Sequence, residues 1–525
     1  MVPMSRSPPA ARSPPQQVVT FRRDYNSWVA RETLEDYALR FTPRTFRKWS
    51  EWRLANTAFG AASFLILEAV GATLLVQRGF VNAALAILAT GLIIFLAGLP
   101  ISVYAARHGV DMDLLTRGAG FGDLGSTITT LVYASFTFIF FALEAAVMAY
   151  ALELAFDIPP AWGYGICALV VIALAFVLVK IPGELVGLAG FAGSGGQGPG
   201  FQLLGFGAAL TVGIALITQL GEQADYLRFM PEKQPGHALR WWAATLLGGP
   251  GWVLVGVLKM LAGVVLAYLA LSHRVPPERA VDPNQMYLVA WEYVFPHYGW
   301  AVAATALSVV VSQLKINVTN AYAGSLAWSN FFSRLTHSHP GRVVWLVFNT
   351  LLALVLMELN LFQALSHVLG LYSNIAIAWI MAVVADLVIN KPLGLSPPGI
   401  EFRRAHLNDI NPVGVGAMGV ASVLSVAAHL GAFGPLAQAF SAMIALVTAL
   451  LVSPLIAWAT DGRYYLARRT QAARAVAAAD VAQHGASLGQ RLDADPSGRR
   501  ALRRCTLCER DYEPEDMAAC RPTVA

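Results

Sequence analysis

The sequence predicts an all-α polytopic membrane protein, and three observations carry the prediction. Of 525 residues, 56% are hydrophobic and 13% charged, with mean hydropathy +0.55. A soluble domain of average composition carries about 25% charged residues. The deficit runs from about residue 55 to 460, so a soluble α-protein would lack charged outer faces over most of its length. Within that stretch, apolar runs of about 20 residues recur, each long enough to cross a hydrocarbon core of ~30 Å.

The chain divides by composition. Residues 1–21 are Pro-rich with little to bury, and are predicted to be disordered. Residues 22–54 form a basic juxtamembrane segment carrying Arg22, Arg23, Arg31, Arg40, Arg44, Arg47, Lys48 and Arg53. Residues 55–460 make the transmembrane domain, and 461–525 a cytoplasmic tail. No short apolar segment of the secretory-signal kind precedes the first span. The net charge of +5 falls in short loops, where it sets orientation, and predicts no nucleic-acid partner. Four cysteines, Cys167, Cys505, Cys508 and Cys520, are too few and too uneven for a disulfide scaffold.

Hydropathy places eleven clear crossings, at about 55–77, 81–105, 125–153, 161–180, 200–219, 241–271, 298–331, 343–362, 365–388, 413–431 and 434–459. With a cytoplasmic N-terminus, the basic loops at Arg107 and Arg117 and at Lys180 fall inside, as the positive-inside rule requires. The later basic loops fall inside only if one more crossing lies before residue 200. The only candidate is Ile181–Gly200, with eight glycines and two prolines, a poor lipid-facing helix. Charge therefore asks for twelve spans, of which the fifth is degraded. Both termini are expected in the cytoplasm of a bacterial inner membrane.

Ionisable side chains inside apolar spans are costly and are functional candidates by default. Here they are Glu68, Glu144, Glu222, Lys259, Lys315 and Glu358. Lys259 and Glu358 read as side chains that snorkel to the interface. Glu144 and Lys315 lie deep and would neutralise one another. A pair at ~4 Å gains about 4 kcal/mol at an effective dielectric near 20, and desolvation offsets much of that. Such a pair would poise a switch rather than add stability.

The eighth span is the most informative. Gln313, Asn317, Asn320 and Gly324 share one helical face, which has amides where lipid would want an apolar stripe. Amides donate and accept at once, which suits a planar heterocycle carrying C=O and N–H groups. Interhelical hydrogen bonding, at about 0.6–2 kcal/mol per contact, explains the same face equally well. In the third span, Tyr133, Phe136, Phe138, Phe140 and Phe141 lead to Glu144, with Phe140 and Glu144 as i, i+4 neighbours. A ring beside a carboxylate suits a small cyclic ligand, although buried rings more often simply fill volume. His337 and His339 lack the acidic or cysteine neighbours of a metal site. No phosphate loop, nucleophile elbow or zinc-protease motif is present, and no enzymatic activity is expected.

Several stretches together resemble the nucleobase–cation symporter-1, or purine–cytosine permease, family over roughly residues 35–460. They are Ala105–Ser126 with its Gly-rich, Arg-bearing pattern, Asp225-Tyr-Leu-Arg228, Asn320-Ala-Tyr-Ala-Gly324, and Val384-Ala-Asp386 at the end of the tenth span. The resemblance implies a five-plus-five inverted-repeat transporter fold with two extra C-terminal spans. The ligand would lie at the midplane between broken first and sixth helices. It implies a small heterocyclic ligand (purine, pyrimidine, allantoin or hydantoin type) contacted by Phe140, Glu144 and Asn320, with Asn317 and Gln313 on the same face. The family's second stacking aromatic maps near Leu216, so that stack is absent. Its cation site maps to Leu314 and Lys315, with Thr319 nearby. A fixed ammonium there argues against sodium coupling and implies a proton-coupled, uncoupled or non-transporting protein, with the proton as the one candidate coupling ion. Cys505, Cys508 and Cys520 resemble the start of a cysteine-rich linker that joins permease-like modules to histidine kinases or cyclases, and would make an incomplete zinc site. Two functions follow. One is a permease; the other is a transporter-like sensor module truncated before a signalling partner.

Overall fold

The computed structural model describes residues 42, 47–154, 185, 187–194, 198–336, 342–358, 365–402, 407–466, 503–504 and 511–512. The expected crossing at 161–180, residues 1–41, and Cys505, Cys508 and Cys520 lie outside these residues, as do the side chains of Lys315 and Thr319.

The described chain is mostly helical. Seven helical stretches are long and apolar enough to cross a bilayer: Phe80–His108, Gly125–Glu144, Leu203–Leu227, Ala238–Ser272, His367–Asn390, Pro412–His429 and Ser441–Ala459. The expected first span is two helices, α1 (Glu51–Ala61) and α2 (Ile66–Arg78), separated by residues 62–65. Next come α3 (Phe80–His108), the short α4 (Met112–Thr116) and α5 (Gly125–Leu154). The expected sixth span is α6 (Leu203–Gly213), a 3-10 stretch over Ile214–Gln219, and α7 (Leu220–Leu227). It runs eight residues past the apolar limit at 219, because Glu222, Gln223 and Asp225 are buried against protein rather than lipid.

The expected seventh span is also broken. α8 (Ala238–Gly248) and α9 (Trp252–Ser272) flank Gly249-Pro250-Gly251, where proline supplies no N–H to continue the ladder. α10 (Pro283–Glu292), α11 (Tyr298–Thr336), α12 (Arg342–Glu358), α13 (Leu365–Ala385), α14 (Pro412–His429) and α15 (Ser441–Ala459) complete the bundle.

Packing reveals the internal symmetry. α5 and α11 lie against one another along their lengths. The broken pair α1–α2 packs on α9, and the broken pair α6–α7 packs on α3. Each broken helix thus leans on the second helix of the other half, as an inverted repeat requires. α2 and α9 meet backbone to backbone. A Cβ at Gly71 would sit 2.0 Å from the Met260 carbonyl oxygen, and one at Gly263 would sit 2.2 Å from that of Glu68. Only glycine permits this approach, as at other close-packed membrane helices.

The glycine-rich 181–200 segment forms no spanning helix in its described part. It holds a 3-10 turn at Leu188–Gly190 and then folds back on the α2–α3 corner. There the Phe80 N–H donates to the Phe191 carbonyl at 3.0 Å, and the Ser194 N–H to that of Val76 at 2.7 Å. In the tail, Arg503–Arg504 and Asp511–Tyr512 pair as two short antiparallel strands.

Candidate functional site

The candidate site is built where α5, α11 and the α1–α2 break converge. Glu144 on α5 is buried, and one of its carboxylate oxygens accepts from the Asn320 amide at 2.8 Å. Gln313, two turns earlier on α11, bridges both neighbours. Its amide nitrogen donates to the Glu144 carbonyl at 3.2 Å, and its oxygen accepts from the Leu65 N–H at 3.2 Å. Between them on the same face sits Asn317, only 7% exposed. Neither amide atom of Asn317 has a hydrogen-bond partner among the described residues.

Phe140 is buried one turn before Glu144. Phe64, from the α1–α2 break, packs edge-on against its ring with centroids 6.3 Å apart, and Phe136 lies 4.4 Å away. The aromatic facing Phe140 therefore comes from the first helix. Leu216 is buried in the 3-10 stretch of the sixth. Glu144 also lies within electrostatic range of Glu222 and Lys259. Glu222 is 2% exposed, with the Gln219 side chain as its hydrogen-bonding neighbour and Asp225 as a repelling one. The expected Glu144–Lys315 pairing involves a side chain outside those described.

Lys259 does not snorkel to the interface as expected. Its ammonium donates to the carbonyls of Ser63 at 2.6 Å and Phe64 at 2.8 Å, and pairs with Glu68 at 3.3 Å. Tyr287 on α10 donates to the same Glu68 oxygen at 3.1 Å. Lys259 lies more than three turns from either end of the 241–271 apolar run, a depth that was the available signal. Ser63 and Ser312 each donate a hydroxyl to the other's carbonyl, the bond from Ser312 being the shorter, which ties the break to α11.

A second polar cluster closes the end of the bundle that carries the basic loops. Here two of the stretches that carried the family resemblance, Ala105–Ser126 and Asp225–Arg228, meet in space. Asp113 accepts from Thr130 at 2.8 Å, pairs with Arg117 at 3.4 Å and binds Arg334 of α11. Arg334 also donates to the Ser126 hydroxyl at 2.6 Å. Asp225 accepts from Tyr133 at 2.8 Å and from the Met112 N–H at 3.3 Å, while the fully buried Arg228 pairs with Asp111 at 3.5 Å. Burial pushes the Asp111 carboxyl above its usual range, and the Arg228 charge pulls against that. A cavity of about 10 Å³, room for about one water, lies among Asp111, Thr130, Tyr133, Asp225 and Asn330. A larger cavity of about 570 Å³ opens at the opposite end, beside Arg78, His367 and His429. Neither lies between Phe140 and Asn320.

No family model matches the chain, and no curated protein matches its sequence. Solved structures do. The chain is similar to Mhp1, a nucleobase-cation-symport-1 family transporter, in a closed conformation with bromovinylhydantoin bound. The TM-score is 0.57 at 15% identity, over 82% of this chain and 99% of the other. The inward-facing conformation of Mhp1 gives a TM-score of 0.54 at 17% identity, over 84% and 99%. The fold is that of a secondary transporter.

Proposed function

We propose that the chain is a membrane carrier for a small planar heterocycle of nucleobase or hydantoin type, not driven by sodium. Asn317 is the observation that carries this reading. A buried amide with no partner costs about 1–3 kcal/mol in proteins. That cost is offset when a ligand supplies the missing donor and acceptor. A ring bearing alternating C=O and N–H groups does so, with Asn317 pairing on its edge and the Asn320–Glu144 couple beside it. The Phe140 ring supplies the flat apolar surface. The hydantoin bound to the structural neighbour belongs to the same chemical class.

In this reading the proton is the coupling ion, and the chain sits in a bacterial inner membrane with both termini in the cytoplasm. The test is uptake of radiolabelled uracil, cytosine, hypoxanthine, allantoin and a hydantoin into liposomes holding the purified protein. Saturable uptake of one of them, reduced at least about tenfold in Asn317→Ala, supports the carrier; about 1.4 kcal/mol of lost binding is tenfold. Saturable binding without uptake sinks it and favours a sensor module. The antiparallel pairing of Arg503–Arg504 with Asp511–Tyr512, between which Cys505 and Cys508 fall in the sequence, is the feature that keeps that second reading in view.

A further inference from the structure

The interruption of the first helix leaves backbone oxygens pointing at a common centre. In an unbroken helix the carbonyls of Ser63 and Phe64 would accept from amides four residues on. Here α2 starts only at Ile66, and both carbonyls turn instead to the Lys259 ammonium. Glu68 adds a carboxylate oxygen from the first turn of α2, and it is 2% exposed. Around the ammonium are thus two carbonyl oxygens and one carboxylate oxygen, all within 3.3 Å. Hard, oxygen-only sets of this kind bind hard cations. Tyr287 and Ser312 steady the set from α10 and α11 through hydrogen bonds to Glu68 and to the Ser63 carbonyl.

The charge arithmetic agrees. One buried carboxylate and two carbonyl dipoles are matched by one positive charge, and an ammonium has three N–H donors for three acceptors. The Gly71 and Gly263 contacts bring α9 close enough to α2 for the lysine stem to reach the break.

We propose that the α1–α2 break, with Glu68, is a monovalent-cation site that this chain fills with its own ammonium, Lys259. The tethered ammonium makes the site indifferent to sodium. Removing it exposes a vacant, negatively charged oxygen cage. Its readout is stability, so the proposal does not depend on what the central site binds.

The test uses the full chain in detergent, as Lys259→Cys, with melting temperature followed in sodium, potassium or choline chloride at equal ionic strength and pH 8. Saturable stabilisation of Lys259→Cys by sodium or potassium over choline is expected, with none in the wild type. Restoring an ammonium on the introduced thiol with an aminoethyl thiosulfonate reagent should abolish the response. In Lys259→Cys with Glu68→Gln the response should be lost with the carboxylate. Equal melting temperatures in all three salts for Lys259→Cys would overturn the proposal. So would a sodium response that survives Glu68→Gln. If Lys259→Cys is recovered folded only in sodium or potassium, the proposal is supported. If it is recovered in none, the wild type decides: saturable sodium stabilisation overturns the proposal, and indifference to sodium upholds it.

Discussion

Asn317→Leu separates a ligand site from interhelical hydrogen bonding by the sign of its effect on stability. If the amide serves a ligand, the unliganded protein holds two buried polar atoms without partners, as found among the described residues. Leucine is close in volume, removes both, and is the better helix former. Relief of an unsatisfied buried amide is worth about 1–3 kcal/mol, and helix propensity adds about 0.5 kcal/mol. Asn317→Leu should therefore stabilise the ligand-free protein by roughly 2 kcal/mol while abolishing ligand-induced stabilisation. The control is Asn320→Leu, three residues along on the same face. That amide donates to Glu144 at 2.8 Å, and losing a hydrogen bond to a buried carboxylate costs about 1.5–3 kcal/mol. The two substitutions should shift stability in opposite directions. The assay is reversible unfolding in mixed micelles, with and without the heterocycles above. A destabilised Asn317→Leu would mean that the amide already has a partner, and the argument for a ligand at that position would fail.

Two further perturbations probe the charged interior. Glu222→Met should raise stability by about 1–3 kcal/mol, because it removes a buried carboxyl whose burial beside the repelling Asp225 costs more than the Gln219 hydrogen bond returns. A loss of stability in the same unfolding assay would show that the carboxyl is held after all. Asp113→Asn should loosen the closed basic end, since it removes the charge that Arg334 and Arg117 share. Breaking a buried ion pair costs about 3–5 kcal/mol. A cysteine placed at Asn330, beside the small cavity, should then react faster with a soluble maleimide. An unchanged rate would mean that these ion pairs do not control access from that end.

Most of the span architecture was legible because hydropathy is a property of single residues, and a bilayer reads it directly. The amide face of α11 was legible for a similar reason, since Gln313, Asn317 and Asn320 fall together by helical periodicity alone. What was not legible depends on pairs of residues far apart in the chain. The first helix breaks at 62–65 with no proline nearby. Its free carbonyls are taken by Lys259 and Ser312 and the Leu65 N–H by Gln313, groups 195 to 249 residues away. The break in the seventh span, at Gly249-Pro250-Gly251, carries a local signal that hydropathy averages away. Lys259 shows how the two cases differ. Scored alone, a lysine in an apolar run reads as an expense to be relieved at the interface. Beside the Ser63 and Phe64 carbonyls and Glu68, the same charge is the group that satisfies three buried acceptors. An ionisable residue in a membrane span therefore acquires its meaning from the backbone it faces. In this chain that backbone is non-helical, and the lysine meets the carbonyls that the break leaves open.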